Sequence, residues 1–416
     1  MSSIERCSVA IIGAGPSGAV AAANLARAGH EVVVLERETF PRFSIGESLL
    51  PQCMTFLEEA GLLDAVQQAG FQHKNGAAFE RAGQHFAFDF EDKFSSGWGT
   101  TYQVQRARFD KILADGAEAA GANIRYRHEI KAVRPGEQGI ELDYVAEGGE
   151  RTRTLHARFC LDASGFGRVL PRLLELHRPS DFPVRRSLFT HVRDGITGPD
   201  FDRNKILITV HPVHRDVWFW LIPFADGTSS LGVVAEDKFL AAREGDEKEI
   251  LQGLVADVEN LSRVLAAAEY HMPVRSIGGY SAKVSTLHGK NFALLGNAGE
   301  FLDPVFSSGV TIALKSASLA SGTLHRHLEG EAVDWQADFA APLSRGVETF
   351  RHFVGTWYTG DLQDIIFSQA QIRNPRIQRM ICAILAGYAW DEENPYVVQP
   401  ARRLKALAEL CRGLSA

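Results

Sequence analysis

The run Ser8-Val9-Ala10-Ile11-Ile12 leads directly into Gly13-Ala14-Gly15-Pro16-Ser17-Gly18. The alanine-rich stretch Ala19 to Ala28 follows, then Glu31 to Leu35 and the acid Glu36. This is strand, GxGxxG, helix, strand, acid, with the acid about twenty residues beyond the glycines. The first glycine allows a tight turn, the second lets a pyrophosphate approach the backbone, and the third lets helix and sheet pack closely. The free N–H groups and positive dipole end of the helix N-terminus then face the phosphates. Glu36 is placed to accept hydrogen bonds from a ribose. The pattern predicts dinucleotide binding and does not by itself choose between FAD and NAD.

Other segments could carry chemistry of their own. In Phe301-Leu302-Asp303-Pro304-Val305-Phe306-Ser307-Ser308-Gly309 a helix is expected to begin near Gly309. The amides of Ser308 and Gly309 would then form an anion site. Helix capping by Ser307 or Ser308 is the compatible plainer reading. Trp218-Phe219-Trp220-Leu221-Ile222-Pro223 reads as an aromatic strand with Trp218 and Trp220 on one face. Lys74 falls in what reads as a loop, where a lysine is ordinarily a solvated charge. His211 and His214 lie close together without an evident third ligand, so no metal site is assigned. Asp391-Glu392-Glu393 reads as a solvated acidic run.

These segments sit in a chain of 416 residues, long enough for two joined domains. With 45% hydrophobic and 23% charged residues, an ordinary globular core is expected. A net charge of -7 gives no basic footprint for nucleic acid and weighs against an acidic membrane surface. The five cysteines are scattered without a CxxC pair, which fits a reducing cytoplasm. Met1 to Cys7 is short and polar, so no leader peptide is expected there, and no apolar run is long enough to span a bilayer.

Helices are expected over Leu49 to Ala60, Ala107 to Ala120 and Asp246 to Ala268, with a mostly helical tail from about Asp334. Alternating strands are expected over about 72–102, 124–146 and 187–275, and buried strands at Phe159 to Asp162 and Phe292 to Gly296. The expected fold is mixed α/β: a Rossmann-like nucleotide-binding domain with an inserted antiparallel-sheet substrate domain and a helical C-terminal cap. The nucleotide-binding domain is split over 1–75, 102–180 and 285–330. The substrate sheet takes 76–101 and 181–284, and the cap 331–416.

Gly13 to Gly18 with Glu36, the segment Asp162-Ala163-Ser164-Gly165, and Gly296-Asn297-Ala298 running into Asp303-Pro304 resemble the flavin monooxygenase superfamily. Within it the chain resembles the flavin-dependent halogenases. Trp218 to Pro223 fits their WxWxIP signature, Phe301 to Gly309 their FxxPxxSxG pattern, and Lys74 the position of their catalytic lysine, a short way beyond Gly46-Glu47-Ser48. The resemblance implies that FAD is held by Gly13, Gly15, Ser17, Gly18, Glu36, Arg37, Glu47, Ser48, Arg106, Asn297, Pro304, Gly309 and Val310. It implies a chloride or bromide at Ser308 and Gly309, and a passage lined by Trp218 and Trp220 between flavin and substrate. Asn297 departs from the aspartate usual in the family, and its amide can still bond a ribityl hydroxyl. Phe306 stands where tryptophan halogenases carry a glutamate, so the resemblance is to halogenases outside that subgroup.

The implied reaction uses FADH2 and O2. A separate flavin reductase supplies the reduced cofactor, since no second full nucleotide motif is present for NAD(P)H. Halide is converted to hypohalous acid, and Lys74 passes the halogen to an electron-rich aromatic ring of the phenol or pyrrole type, free or tethered to a carrier protein. Two alternatives remain open. One is an FAD-dependent hydroxylase or flavin reductase on the same scaffold. The other is a non-catalytic FAD-binding partner protein, to which Asn297 lends support.

Overall fold

The computed structural model describes residues 5–149, 151–198, 201–368 and 374–415, the side chains of 414–415 excepted. Strand Glu5–Ile12 lies at the centre of a mainly parallel sheet, between Val32–Leu35 and Arg153–Asp162. Asn123–Arg125 extends the sheet on one side and Phe292–Leu294 on the other. Both faces of the central strand are covered, which is why Val9 to Ile12 read as continuously apolar. Glu5–Ile12 pairs with Val32–Leu35 on one side and Arg153–Asp162 on the other, so the chain reverses direction of travel across the sheet here. Ligands of such sheets bind outside the carboxyl ends of the strands at this point. The helix Pro16–Arg27 starts there.

The second sheet has seven strands in the order Arg275–Gly278, Arg185–Arg193, Thr228–Glu236, Trp218–Pro223, Lys205–Val210, Gly76–Arg81 and Gln84–Asp89. Segment 76–89 therefore shares a sheet with 185–278, across more than a hundred residues of chain. The pairing of Lys205–Val210 with Gly76–Arg81 is parallel. The tail packs as helices, chiefly Ala341–Thr359, Asp361–Phe367, Pro375–Leu385 and Pro400–Ser415. Among the described residues, no helix is long and apolar enough to cross a membrane.

Several expected elements differ in detail. The helix expected over Asp246 to Ala268 is two helices, Glu247–Ala256 and Glu259–Val264. Asp246 starts the first with a capping box to Glu249, but Val258 is extended (φ -116°, ψ 101°) and breaks the run. The helix expected from Leu49 begins only at Cys53, after Pro51. Lys74 is not in a loop. It ends the short strand Gln72–Lys74, which pairs antiparallel with Thr101–Gln103.

Candidate active site

A cavity of about 360 Å³ opens at the carboxyl ends of the parallel strands and runs to the face of the second sheet. Its nucleotide end is built by the glycine turn. Gly13 needs its left-handed backbone (φ +91°), and a Cβ there would lie 2.8 Å from the Ala163 carbonyl. A Cβ on Gly18 would lie 1.9 Å from the Gly13 carbonyl, so this glycine serves helix packing and lies behind the cavity wall. At Gly15 a Cβ would meet only Arg42, at 3.4 Å, and would otherwise project into the cavity. That is the cradle a pyrophosphate needs, and Ser17 lines it too. Glu36 and Arg37 line the adjoining wall. The Glu36 carboxylate is already engaged, accepting from Ala14 N at 2.8 Å and from Glu38 N at 2.8 Å. Each oxygen keeps a lone pair for a ribose hydroxyl. The residues therefore fit a dinucleotide.

Arg106 lines the cavity from the start of helix Arg106–Ala119. Its guanidinium pairs with buried Asp110 through two bonds of 2.7 and 3.0 Å and donates to the carbonyls of Ile45 and Gly46. It thereby fixes the segment carrying Glu47 and Ser48. The i,i+4 spacing of Arg106 and Asp110 is a signal readable in the sequence. The partner of Glu47 is not, because His191 lies 144 residues away on the second sheet. Its Nε2 is 2.6 Å from Glu47 Oε1. Burial alone would lower the His191 pKa, but the Glu47 carboxylate overrides it and raises the value.

At the other end, Trp218 and Trp220 line the cavity from one face of their strand, ring centroids 6.0 Å apart. Trp220 Nε1 donates to Ser230 (3.1 Å), and its ring lies over Gly232, where any Cβ would collide at 2.2 Å. Trp218 Nε1 donates to Tyr358 Oη (3.0 Å), which donates to Asp303 (2.8 Å). Asp303 is fully buried, and burial pushes its carboxyl up to about 6 against the opposing bond from Tyr358. Tyr358 therefore positions a cavity tryptophan from the cap. Tyr280 and Phe301 also line the cavity; Phe301 opens the Phe301 to Gly309 pattern, whereas the segment around Tyr280 carries no recognisable one.

Asn297, Pro304, Gly309 and Val310 line the wall between the two ends. Ser307 adopts a left-handed backbone (φ 56°, ψ 22°), and helix Ser308–Leu328 starts directly after it. No side chain caps that helix, so the capping alternative for Ser307 or Ser308 is not realised. The Ser308 and Gly309 amides occupy its first turn, where N–H groups have no intrahelical acceptor. Gly309 reaches the cavity, whereas buried Ser308 sits behind it. Phe306 packs edge-on against Phe353 and Trp357 of the cap.

Lys74 does not line the cavity and is fully buried. Its Nζ donates to Ser48 Oγ (2.7 Å) and the Leu49 carbonyl (2.7 Å) and lies 5.3 Å from the Phe90 ring centroid. Ser48 does line the cavity, so the amine stands one hydrogen bond behind its wall. Among the described residues no carboxylate pairs with it. Burial pulls its pKa from 10.5 down to about 7, and only nearby Cys53 opposes this. Directly across the strand pair sits Thr101, whose buried hydroxyl has no partner.

The profile of a protein family described as FAD binding domain matches residues 6–342. The 1H-pyrrole-2-carbonyl-(peptidyl-carrier protein) chlorinase of Pseudomonas fluorescens is 29% identical, the match covering 96% of this chain and 93% of that one. Flavin-dependent halogenase gsfI of Penicillium aethiopicum is 30% identical over 83% of this chain and 70% of its own length. In solved structures, a flavoprotein/dehydrogenase of Cytophaga hutchinsonii superposes with a TM-score of 0.95 at 41% identity, covering 99% of this chain and all of that one.

Proposed function

The chain is an FAD-dependent oxidoreductase that belongs to the FAD binding domain family and to its flavin-dependent halogenases, and from that premise we propose that it halogenates an electron-rich aromatic ring of the phenol or pyrrole type. The observation that carries this reading is the buried, carboxylate-free Lys74 amine one hydrogen bond behind the cavity wall. A purely structural lysine is unfavourable in such a place, since burial without a counter-charge costs more stability than its two hydrogen bonds supply.

In this reading Gly13, Gly15, Ser17 and the first turn of their helix hold the pyrophosphate, and Glu36 and Arg37 the adenosine side. Arg106, Glu47, Ser48, Asn297, Pro304 and Val310 enclose the flavin end. Gly18 acts from behind by packing the helix. The reduced flavin, supplied by a separate reductase, provides the electrons that with O2 turn chloride or bromide into hypohalous acid. The Ser308 and Gly309 amides hold the halide. Trp218 and Trp220 fill the space beside the flavin end and keep the aromatic substrate from direct contact.

With its pKa near 7, Lys74 has a neutral fraction whose lone pair is nucleophilic. The nitrogen takes the halogen from hypohalous acid: N–X forms, O–X breaks, and the displaced N–H proton leaves with hydroxide as water. The arene then takes X from nitrogen and returns its ring proton to the amine. Phe306 leaves the lysine without the acid of the tryptophan subgroup, which favours a ring that is itself strongly electron-rich. The Pseudomonas chlorinase acts on a carrier-bound pyrrole, and a carrier-tethered ring is the first substrate form to test. The strands of 76–101 and 181–284 form the substrate domain in this division of the chain, and 331–416 its cap. A reducing cytoplasm suits the five buried free cysteines.

A second reading, oxygenation or dehydrogenation on the same scaffold, is favoured by the closed wall between Lys74 and the cavity and by the flavoprotein/dehydrogenase likeness. Mass spectrometry of free and carrier-bound phenols and pyrroles incubated with the protein, FAD, a flavin reductase, NADH and bromide separates the two. A bromine isotope doublet supports halogenation. A bromide-independent gain of one oxygen, or loss of two hydrogens, supports the second reading.

A further inference from the structure

Helices Pro16–Arg27 and Ser308–Leu328 both begin at the edge of the cavity, and they pack against each other along their length. Towards their far ends Asn24 Nδ2 donates to Ser321 Oγ (3.0 Å). One turn further out, beyond Gly29, His30 Nε2 and His325 Nδ1 stand 2.9 Å apart. Glu329 follows His325 by four residues and so shares its face of the helix. One donor atom from each of His30, His325 and Glu329 lies within 4.8 Å of the other two. Among the described residues, no other three His, Cys, Asp or Glu side chains meet that spacing, the His211–His214 pair included.

We propose that His30, His325 and Glu329 form a binding site for a divalent transition-metal ion, with zinc as its representative occupant, that clips together the distal ends of the two helices edging the cavity. Two imidazole nitrogens and one carboxylate oxygen are a zinc donor set, with the fourth position left to water. Zinc–nitrogen bonds of about 2.0–2.1 Å in tetrahedral geometry place two nitrogens roughly 3.3 Å apart. The observed 2.9 Å needs only a few tenths of an ångström of side-chain movement. Above about pH 7 an ordinary imidazole is mostly neutral and offers its lone pair. The site lies at the C-terminal end of the long helix, where free carbonyls favour a cation. Burial lowers the His30 pKa, His325 and Arg158 act in the same direction, and Glu329 opposes them. The halogenase reading uses none of these residues, so the site stands or falls independently of it.

The test is calorimetric titration of Zn2+ into the chelator-stripped, FAD-loaded full chain, with the unfolding temperature measured in parallel. The wild type takes up one equivalent, and its unfolding temperature rises because the ion binds only the folded state. His30→Ala and His325→Ala lose both effects while keeping bound flavin, and Glu329→Gln binds more weakly. His325→Asn is a second variant in case alanine disturbs the helix end. Absence of zinc uptake by the wild type, or uptake undiminished in a folded histidine variant, overturns the proposal.

Discussion

Replacing Lys74 by methionine should stabilise the fold near neutral pH and abolish halogenation. The amine's pKa falls from 10.5 in the unfolded chain to about 7 in the folded one. Between those values the unfolded chain binds a proton that the folded chain does not. Stability therefore rises with pH through this window and is flat below it. At about 1.4 kcal/mol per pKa unit, giving up that proton on burial costs on the order of 4 kcal/mol near pH 7 and on the order of 1 kcal/mol near pH 9.5. Methionine has a similar length and no charge. It forfeits the hydrogen bonds to Ser48 and Leu49, about 1 kcal/mol each. Lys74→Met should then be more stable than wild type by about 2 kcal/mol near pH 7 and close to it near pH 9.5. Urea unfolding of the FAD-loaded proteins at the two pH values measures both differences. A stability difference that does not change with pH would refute the reasoning, because the buried amine would not be titrating in this window.

Other outcomes follow from the same geometry. Gly15→Val should purify folded but colourless, because its side chain enters the cavity. Gly18→Ala should instead lower the unfolding temperature, because its Cβ meets the Gly13 carbonyl at 1.9 Å. Flavin absorbance and calorimetry separate the two. Tyr358→Phe removes the bridge between Trp218 and Asp303. It should cost about 1–3 kcal/mol in urea unfolding and shift the tryptophan fluorescence. Thr101→Val should leave stability within about 1 kcal/mol, because the hydroxyl it removes has no partner. A loss of turnover in that variant without a change in stability would place the hydroxyl in the halogen-transfer site beside Lys74.

The nucleotide half of the molecule was legible because backbone requirements constrain residue type directly. Gly13 and Gly18 are glycines for steric reasons, and Val9 to Ile12 are apolar because both faces of their strand are covered. Alternation placed Trp218 and Trp220 on one face. The boundary errors come from local breaks that periodicity does not register, such as extended Val258 inside an otherwise helical run. Contacts between distant segments left no trace in the sequence. Glu47 with His191 and Trp218 with Tyr358 are brought together only by the packing of loop, sheet and cap. The environment of Lys74 was hidden for the same reason. A lysine beside asparagine and glycine reads as solvated until the Thr101–Gln103 strand and Phe90 are laid over it.

The central claim is that Lys74 carries the halogen from hypohalous acid to the substrate. The most direct measurement compares wild type and Lys74→Met, both FAD-loaded, with reductase, NADH and bromide, while scoring a diffusible hypohalous-acid trap and the brominated substrate separately. The account predicts that the methionine variant still consumes bromide and labels the trap but yields no brominated substrate. Substrate bromination by the variant at the wild-type rate would contradict it.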